Sequence, residues 1–223
     1  MERIVHYYFN VDLMLAALPV LAGGLGLTLA LAASTVALGI PLGLGLAVLR
    51  AMQLRPLSIA IIVFADVFRA LPPLVVLIMF YFGLPHAGVS ISPFLCVVLT
   101  LGLCLAALAE EIFWSGIIAV GRGQWEAAYS TGITFFPALL FVVVPQGVRM
   151  VIPPLTNKLI SITKMTSLAS VVAVPELLNQ AITEQGIHAN PSPLTLAALL
   201  FLLIFLPLVR LTNHLERRYG TIG

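Results

Sequence analysis

The chain has 223 residues, of which 61% are hydrophobic and only 9% are charged, and its formal net charge is +2. Its mean hydropathy of +1.11 lies far above that of soluble globular proteins. These values exclude a soluble globular protein and indicate an integral membrane protein surrounded by lipid. We expect no nucleic-acid partner.

Apolar stretches long enough to cross a bilayer occur along most of the chain. A hydrocarbon core about 30 Å thick needs a helix of about 20 apolar residues, and its backbone polar groups must bond within the helix. Five stretches qualify, although Lys158 and Lys164 weaken the fourth. The predicted spans are residues 24–49, 57–84, 92–120, 153–174 and 194–211. We predict an all-α membrane protein with five transmembrane helices in a single domain covering residues 1–223.

The distribution of basic residues predicts the orientation of these spans. Lys and Arg accumulate in short cytoplasmic loops. With five spans, one side receives Arg50, Arg55, Arg122, Arg149, Lys158, Lys164, Arg210, Arg217 and Arg218. The other side receives Arg3, an uncharged loop at residues 83–91, and a loop at residues 176–193 that has two glutamates and no Lys or Arg. We expect an N-terminus outside and a C-terminus in the cytoplasm. A four-span chain would separate the last three arginines from the other basic residues.

Small residues in the first and third spans are predicted to pack helices. Gly39 and Gly43 are four residues apart, a spacing that lets two helices approach closely in lipid. They predict a helix-packing or subunit-contact face, with chance in a glycine-rich helix as the alternative. Cys96 and Cys104 lie about 12 Å apart along one helix, too far for a disulfide. We interpret both as packing residues. The four histidines lack metal-ligand spacing, and we expect no metal site.

Charged residues at membrane depth are costly unless they pair or face a cavity, so they are functional candidates. Asp66 and Arg69 are three residues apart on one helical face, just before two prolines. Either they line a functional cavity, or they form an internal ion pair that braces a kinked helix. Glu110 and Glu111 point about 100° apart on a helix. We expect one to line a path or a subunit interface and the other to reach another helix or the headgroups, with Glu111 as the better path candidate.

A polar island follows the third span on the predicted cytoplasmic side. Residues 124–130 favour a short helix, Gly132 supplies a break, and residues 135–144 can form a second helix that ends at Pro145. We predict a helix-turn-helix at the membrane surface that docks into a groove on another protein. An amphipathic interfacial helix with no partner is the alternative.

Sequence motifs in and around this island resemble one family of transport proteins. The EAAYSTG of residues 126–132 and the VVVP of residues 142–145 resemble the EAA loop of permease subunits of bacterial ATP-binding-cassette (ABC) importers. Further motifs resemble the polar amino acid permeases of the histidine/glutamine type. They are FRALP (68–72), GQWEAA (123–128), PQ (145–146), PPLTN (153–157), KMTSLAS (164–170) and VPEL (174–177). The similarity covers roughly residues 24–218, in the order of the family.

The resemblance implies a five-helix permease of the type I importer fold, with a coupling loop at about residues 121–147 between helices 3 and 4. It implies a dimer with a second permease subunit, two cytoplasmic ATPase subunits and a periplasmic solute-binding protein, in a bacterial inner membrane. The ATPase-coupling residues that it implies are Gly123, Gln124, Trp125, Glu126, Ala127, Ala128 and Gly132. The chain contains no G-x-x-x-x-G-K-[ST] phosphate loop, so ATP and Mg are expected on the partner and no cofactor is expected here.

The main hypothesis is therefore a non-enzymatic permease that moves a polar amino acid or a close derivative by alternating access. The predicted substrate-path residues are Asp66, Arg69, Glu111, Lys164, Thr166 and Ser167. Departures from the family pattern are Leu108 and Trp114, the gain of Glu110, and Met165 beside Lys164. They indicate either a shifted substrate preference or drift compensated by Glu110.

Two other classes of function remain as rivals at the level of the sequence. A proton-driven secondary transporter would use Asp66, Glu110 and Glu111 as its relay, but five spans without an inverted repeat fit that class poorly. A membrane enzyme would need a nucleophile with its base, or a metal constellation, and the sequence shows neither.

Overall fold

A computed structural model describes residues 7–219 of the chain, and every regular element in that range is helical. The helices are α1 (Val11–Ala51), α2 (Arg55–Ala70), α3 (Pro73–His86), α4 (Pro93–Ala119), α5 (Arg122–Ser130), α6 (Phe135–Ala138), α7 (Val144–Met150), α8 (Ile152–Met165), α9 (Leu177–His188) and α10 (Ser192–Tyr219). A π-helical turn (Leu139–Val143) joins α6 to α7, and a 3-10 helix (Thr166–Val172) follows α8.

Five membrane spans can be assembled from these helices. Helices α1 and α4 and the segment Ser192–Arg210 of α10 are each long and apolar enough to cross a bilayer. Two bent pairs complete the set. Helices α2 and α3 meet at 101°, and the segments Phe135–Met150 and Ile152–Val172 meet at 63°. The predicted all-α, five-span fold is confirmed, with two spans each broken into two segments.

The central contact of the fold is the packing of α1 against α4, and it depends on glycine. A Cβ atom added at Gly39 would lie 2.8 Å from the Leu105 side chain, and one at Gly43 would lie 2.7 Å from Cβ of Ala109. The two helices therefore approach more closely than any larger residue would allow. Of the alternatives for this glycine pair, helix packing within the chain is confirmed.

Polar caps fix where the long helices begin. The Asn10 side chain accepts a hydrogen bond from the Leu13 N–H at the start of α1, and the Ser92 hydroxyl accepts one from Leu95 at the start of α4. The Asn10 N–H donates to the Ser192 hydroxyl at 2.9 Å. This bond places the first turns of α1 and α10 side by side at one end of the bundle.

Two predicted helix boundaries need correction. Helix α1 begins at Val11 rather than at residue 24, because residues 13–23 are apolar and Asn10 supplies a cap. The second predicted span is two helices rather than one kinked helix. Pro72 and Pro73 lack backbone N–H groups, so Leu71 and Pro72 take extended conformations and the chain turns sharply there.

The prediction that a second helix ends at Pro145 was also wrong, because the helix continues to Met150. The π-helical turn directly before Pro145 widens the helix and accommodates the proline. Gly147 of α7 packs on Gly116 of α4 so closely that a Cβ on Gly116 would lie 2.5 Å from the Gly147 carbonyl oxygen. This segment is the first half of the fourth span instead of a second surface helix, so that span begins at Phe135 instead of residue 153.

Both cysteines are buried and free, as expected of packing residues. The Cys96 thiol lies 3.9 Å from the Leu77 carbonyl oxygen, and both cysteines belong to the core formed around α4. Leu108 and Met165, two of the departures from the family pattern, pack against the same core.

Candidate functional site

The polar island is the short helix α5, and its C-terminal end is shaped by Gly132. Gly132 has φ +84°, a left-handed conformation that favours glycine. The Gly132 N–H donates to the Tyr129 carbonyl, and the Ile133 N–H donates to the Ala128 carbonyl. These two bonds form a Schellman motif, which ends α5 and reverses the chain into α6. The predicted helix and break are confirmed.

One face of α5 holds it to the bundle. Ala128 is buried, and the Trp125 ring stacks on the Phe135 ring with centroids 5.5 Å apart and planes 13° from parallel. The Gln146 side-chain amide of α7 donates to the Gln124 side-chain oxygen at 3.2 Å. These contacts tie α5 to the first half of the fourth span.

The remaining face of α5 is exposed and carries most of the residues of the EAA motif. The exposed residues on this face are Gly123, Glu126, Ala127 and Ser130, with Gln124 at the edge that meets Gln146. Their side chains are small apart from Gln124 and Glu126, so a partner surface can approach the α5 backbone. The sequence therefore divides α5 into an anchored face, with Trp125 and Ala128, and a face open to another molecule.

An ion pair with a fully buried carboxylate joins α1 to α4. Arg50 donates to Glu110 at 3.0 Å, and the Glu110 side chain has no solvent exposure. The Arg50 guanidinium also lies 4.6 Å from the centre of the Trp114 ring, within range of a cation–π contact. Glu110 and Trp114, both departures from the family pattern, thus share Arg50 as their partner.

A second ionic cluster joins α2 to α4 and is open to solvent. The Arg69 guanidinium lies 2.8 Å from a Glu111 carboxylate oxygen and 3.7 Å from an Asp66 oxygen. The side chains of Asp66 and Glu111 are 67% and 51% exposed. Glu110 reaches another helix, as predicted for one of the two glutamates, while the half-exposed Glu111 pairs with Arg69 of α2, and its role on a path stays a prediction. The Asp66–Arg69 pair exists, but it does not bridge the break at Pro72.

Lys164 and Ser167 line an open cavity of about 490 Å³ beside the α2–α3 break, with Pro72 and Pro73 on its opposite wall. The Lys164 ammonium lies 5.6 Å from the centre of the Phe205 ring of α10. Thr166 is placed differently, because it is fully buried and its hydroxyl donates to the Thr163 carbonyl. The structure therefore brings Lys164 and Ser167 to a cavity and places Thr166 behind it.

Two residues with structural roles were not predicted from the sequence. Arg50 was assigned to a loop because it follows an apolar stretch, and its partner is 60 positions away. Glu176 was treated as a loop residue, but it is fully buried at the N-cap of α9. Its carboxylate accepts hydrogen bonds from Leu178 and Asn179 N–H groups and from the Thr28 hydroxyl of α1. An acid before a helical pattern is a capping signal that was available in the sequence.

No group of three or more His, Cys, Asp or Glu side chains within residues 7–219 has a geometry that would hold a metal ion. The site geometry instead consists of an anchored polar helix at one end of an apolar bundle and two ionic clusters between its helices. These features define a membrane-spanning component of a transport system.

The chain belongs to the family of binding-protein-dependent transport system inner membrane components, whose model matches residues 39–221. It is 32% identical over 215 residues to the probable amino-acid ABC transporter permease protein YckA of Bacillus subtilis, covering 96% of this chain and 95% of that protein. It is 38% identical over 163 residues to the L-cystine transport system permease protein TcyB of the same organism, covering 73% and 70% of the two chains.

A solved structure gives the same result. The crystal structure of an amino acid ABC transporter with histidines contains a chain that matches with a TM-score of 0.83 and 31% identity, covering 92% of this chain and 96% of that one. The predicted resemblance is confirmed. The chain is a multi-pass permease subunit of a binding-protein-dependent transport system of the inner membrane, which supports the permease hypothesis over a proton-driven secondary transporter.

Proposed function

We propose that this permease translocates a polar amino acid or a close derivative by alternating access, driven by a separate ATPase. The names of relatives support the substrate class, since they include permeases for amino acids and for L-cystine. The absence of a phosphate loop from the sequence supports a separate source of energy. ATP and Mg would be held by that ATPase, and the chain itself takes part only in translocation.

The observation that carries this proposal is the two-faced geometry of α5. Its anchored face connects through Gln146 to α7, and its other face presents Glu126 and Ala127 to solvent. A rigid helix held in this way transmits a push from a partner to the fourth span. We assign the coupling role to Gly123, Gln124, Trp125, Glu126, Ala127, Ala128 and Gly132.

The same placement supports the predicted orientation. The C-terminal ends of α1 and α4 lie beside α5, together with Arg50, Arg55 and Arg122. The positive-inside rule places this end in the cytoplasm. The first turns of α1 and α10 then face outward, where a periplasmic binding protein would deliver the substrate, and the C-terminus is cytoplasmic.

The ionic cluster of Asp66, Arg69 and Glu111, which we call the Arg69 cluster, has the charges that would bind a zwitterionic amino acid. A guanidinium binds a carboxylate through a fork of N–H donors, and Asp66 and Glu111 can accept an ammonium group. All three charges are partly exposed, and Asp66 and Glu111 each already lie within 4 Å of Arg69. A substrate would exchange ionic partners here instead of meeting unpaired charges. Lys164 and Ser167 line the adjacent candidate cavity, and the buried Thr166 positions the turn that carries them.

A second permease subunit, a copy of this chain or a paralogue, would complete the path. Exposed apolar side chains on α2 and α3, such as Ile59, Val63, Met79 and Phe82, leave these helices available to a partner subunit or lipid. Because the Arg69 cluster lies on the open side of α2, a dimer would enclose it between two subunits.

The experiment is a transport and ATPase assay on the chain co-expressed with the ATPase encoded beside it. Replacing Glu126 with Gln or Gly132 with Ala should abolish transport and uncouple ATP hydrolysis from substrate. Asp12→Asn is the matched control for Glu126, because it removes an exposed carboxylate from the first turn of α1 at the opposite end. Gly186→Ala is the control for Gly132, since Gly186 has ordinary backbone angles and open space around it. Survival of coupled transport in both α5 variants would contradict the assignment.

A further inference from the structure

A second cavity lies beside α5, on a different side from its exposed EAA face. Its volume is about 430 Å³, within the usual range of small-ligand sites. The cavity is lined by Gln53, Trp114, Arg122, Trp125, Tyr129 and Phe135, with apolar residues of α4 behind them. We call it the α5 pocket. Neither the transport path nor the coupling face uses it.

The helical geometry separates the α5 pocket from the coupling face. Arg122, Trp125 and Tyr129 follow one another at intervals of three and four residues, so they share one side of α5. Ala127 lies on the other side, since each residue advances the helix by about 100°. Glu126 follows Arg122 by four residues, lies at the boundary between the two sides and does not line the pocket. A ligand in the α5 pocket therefore leaves Ala127 free to meet an ATPase.

The charge of the α5 pocket is positive. Arg122 is exposed, and no carboxylate within residues 7–210 lies within 4 Å of it. The lining contains no acidic residue among those described. Arg50 stands behind Trp114, but Glu110 already neutralises it. The free guanidinium of Arg122 is thus the charge that a ligand would meet, and it suits the geometry of a phosphate group.

The surroundings of the α5 pocket match the membrane interface. Tryptophan and tyrosine are enriched at the level of the headgroups, and the pocket presents Trp114, Trp125 and Tyr129 together. Large apolar side chains that line it are also exposed, with Ile118 61% and Phe135 38% exposed. Acyl chains could lie against these apolar side chains while a headgroup enters the pocket.

From this combination we infer that the α5 pocket binds the phosphate headgroup of an anionic phospholipid of the inner leaflet. The inference rests on the proposed orientation, which places α5 on the cytoplasmic side. Anionic lipids of that leaflet attract basic side chains, and basic pockets between helices hold their headgroups. A bound lipid would brace the anchored face of α5 between Trp114 and Trp125 and leave the coupling face open.

The chain offers a direct probe of this site, because its only two tryptophans, Trp114 and Trp125, both line the α5 pocket. The full chain, purified in a neutral detergent, is titrated with brominated phosphatidylglycerol or brominated phosphatidylcholine while tryptophan emission is recorded. Quenching should half-saturate at an at least tenfold lower concentration of phosphatidylglycerol. Arg122→Gln should raise that concentration roughly fivefold, the effect of about one basic residue near an anionic surface.

The matched control is Arg149→Gln, which removes an exposed arginine from the last turn of α7, outside the α5 pocket. It should leave the quenching curve unchanged. Equal quenching by the two lipids, or an unchanged lipid preference in Arg122→Gln, would overturn the inference. Displacement of the lipid by millimolar inorganic phosphate would assign the site to a free anion instead. Abolition of quenching by the added ATPase would show that protein covers the pocket. No ATPase is needed for the binding measurement, so this site and the importer function can fail independently.

Discussion

Glu110 and Glu111 are neighbours in the sequence, yet they lie in two different regions of the molecule. Glu110 is sealed into the α1–α4 interface with Arg50, whereas Glu111 is half exposed and meets Arg69 of α2. A rotation of about 100° along one helix separates them. The comparison teaches that a glutamate on one face of α4 holds the bundle together, whereas a glutamate on another face remains free to exchange partners.

Removal of each glutamate in turn is expected to give the largest difference in the free energy of unfolding. Glu110→Ala leaves Arg50 with an uncompensated charge in a buried interface, a change that costs about 3–5 kcal/mol. Glu111→Ala leaves Arg69 partly exposed and near Asp66, and should cost less than about 1 kcal/mol. Thermal unfolding of the two purified variants measures the contrast. Equal losses of stability would erase the distinction between the two faces.

Two glycines of α1 test how closely the buried face of α4 is packed. Gly43→Ala would place a methyl group 2.7 Å from Cβ of Ala109 and 2.8 Å from the Ala106 carbonyl oxygen. Overpacking of this kind costs about 1–3 kcal/mol. Gly45→Ala, two residues along the same helix, meets nothing within 4 Å and should stabilise α1 by up to about 1 kcal/mol. Opposite shifts in melting temperature are expected, and a neutral Gly43 variant would contradict the close packing.

Glu176 is a buried carboxylate that, unlike Glu110, has no arginine partner. Burial raises the pKa of this carboxyl above its usual range, although hydrogen bonds from Leu178, Asn179 and Thr28 oppose the rise. Because the folded state then holds the proton more tightly than the unfolded state, this group's contribution to stability falls as pH increases from the ordinary glutamate pKa through the raised one. Glu176→Gln should remove that part of the pH dependence. An unaltered stability-against-pH profile would contradict it.

The smallest effect on stability is expected from changes in the Arg69 cluster. A double-mutant cycle on Arg69 and Glu111 should give a coupling energy of about 0.2–1 kcal/mol in thermal unfolding, as for other exposed pairs. Transport should respond far more strongly, with Arg69→Ala reducing uptake at least tenfold while the protein remains folded. Uptake that falls only in proportion to the amount of folded protein would place the cluster outside the path.

Sequence reasoning succeeded where local chemistry decides the structure. Apolar length predicted the spans, Gly132 predicted the end of α5, and Gly39 and Gly43 predicted a helix-packing or subunit-contact face. It failed where distant residues decide. The partner of Arg50 lies 60 positions away, and the contact of Gly147 with Gly116 joins helices about 30 positions apart. Two prolines indicated a kink at Pro72, but the size of the turn there, 101°, was not predicted.

The central claim is that α5 receives the push of a partner ATPase, and cross-linking tests it directly. The native cysteines Cys96 and Cys104 are buried, so a cysteine introduced at Ala127 would be the accessible thiol. With the co-expressed ATPase, Ala127→Cys should give a cross-linked permease–ATPase species whose yield changes on ATP binding. Gly186→Cys, exposed on α9 at the other end, should give none. A cross-link at Gly186 alone, or none at Ala127 in an actively transporting complex, would contradict the account.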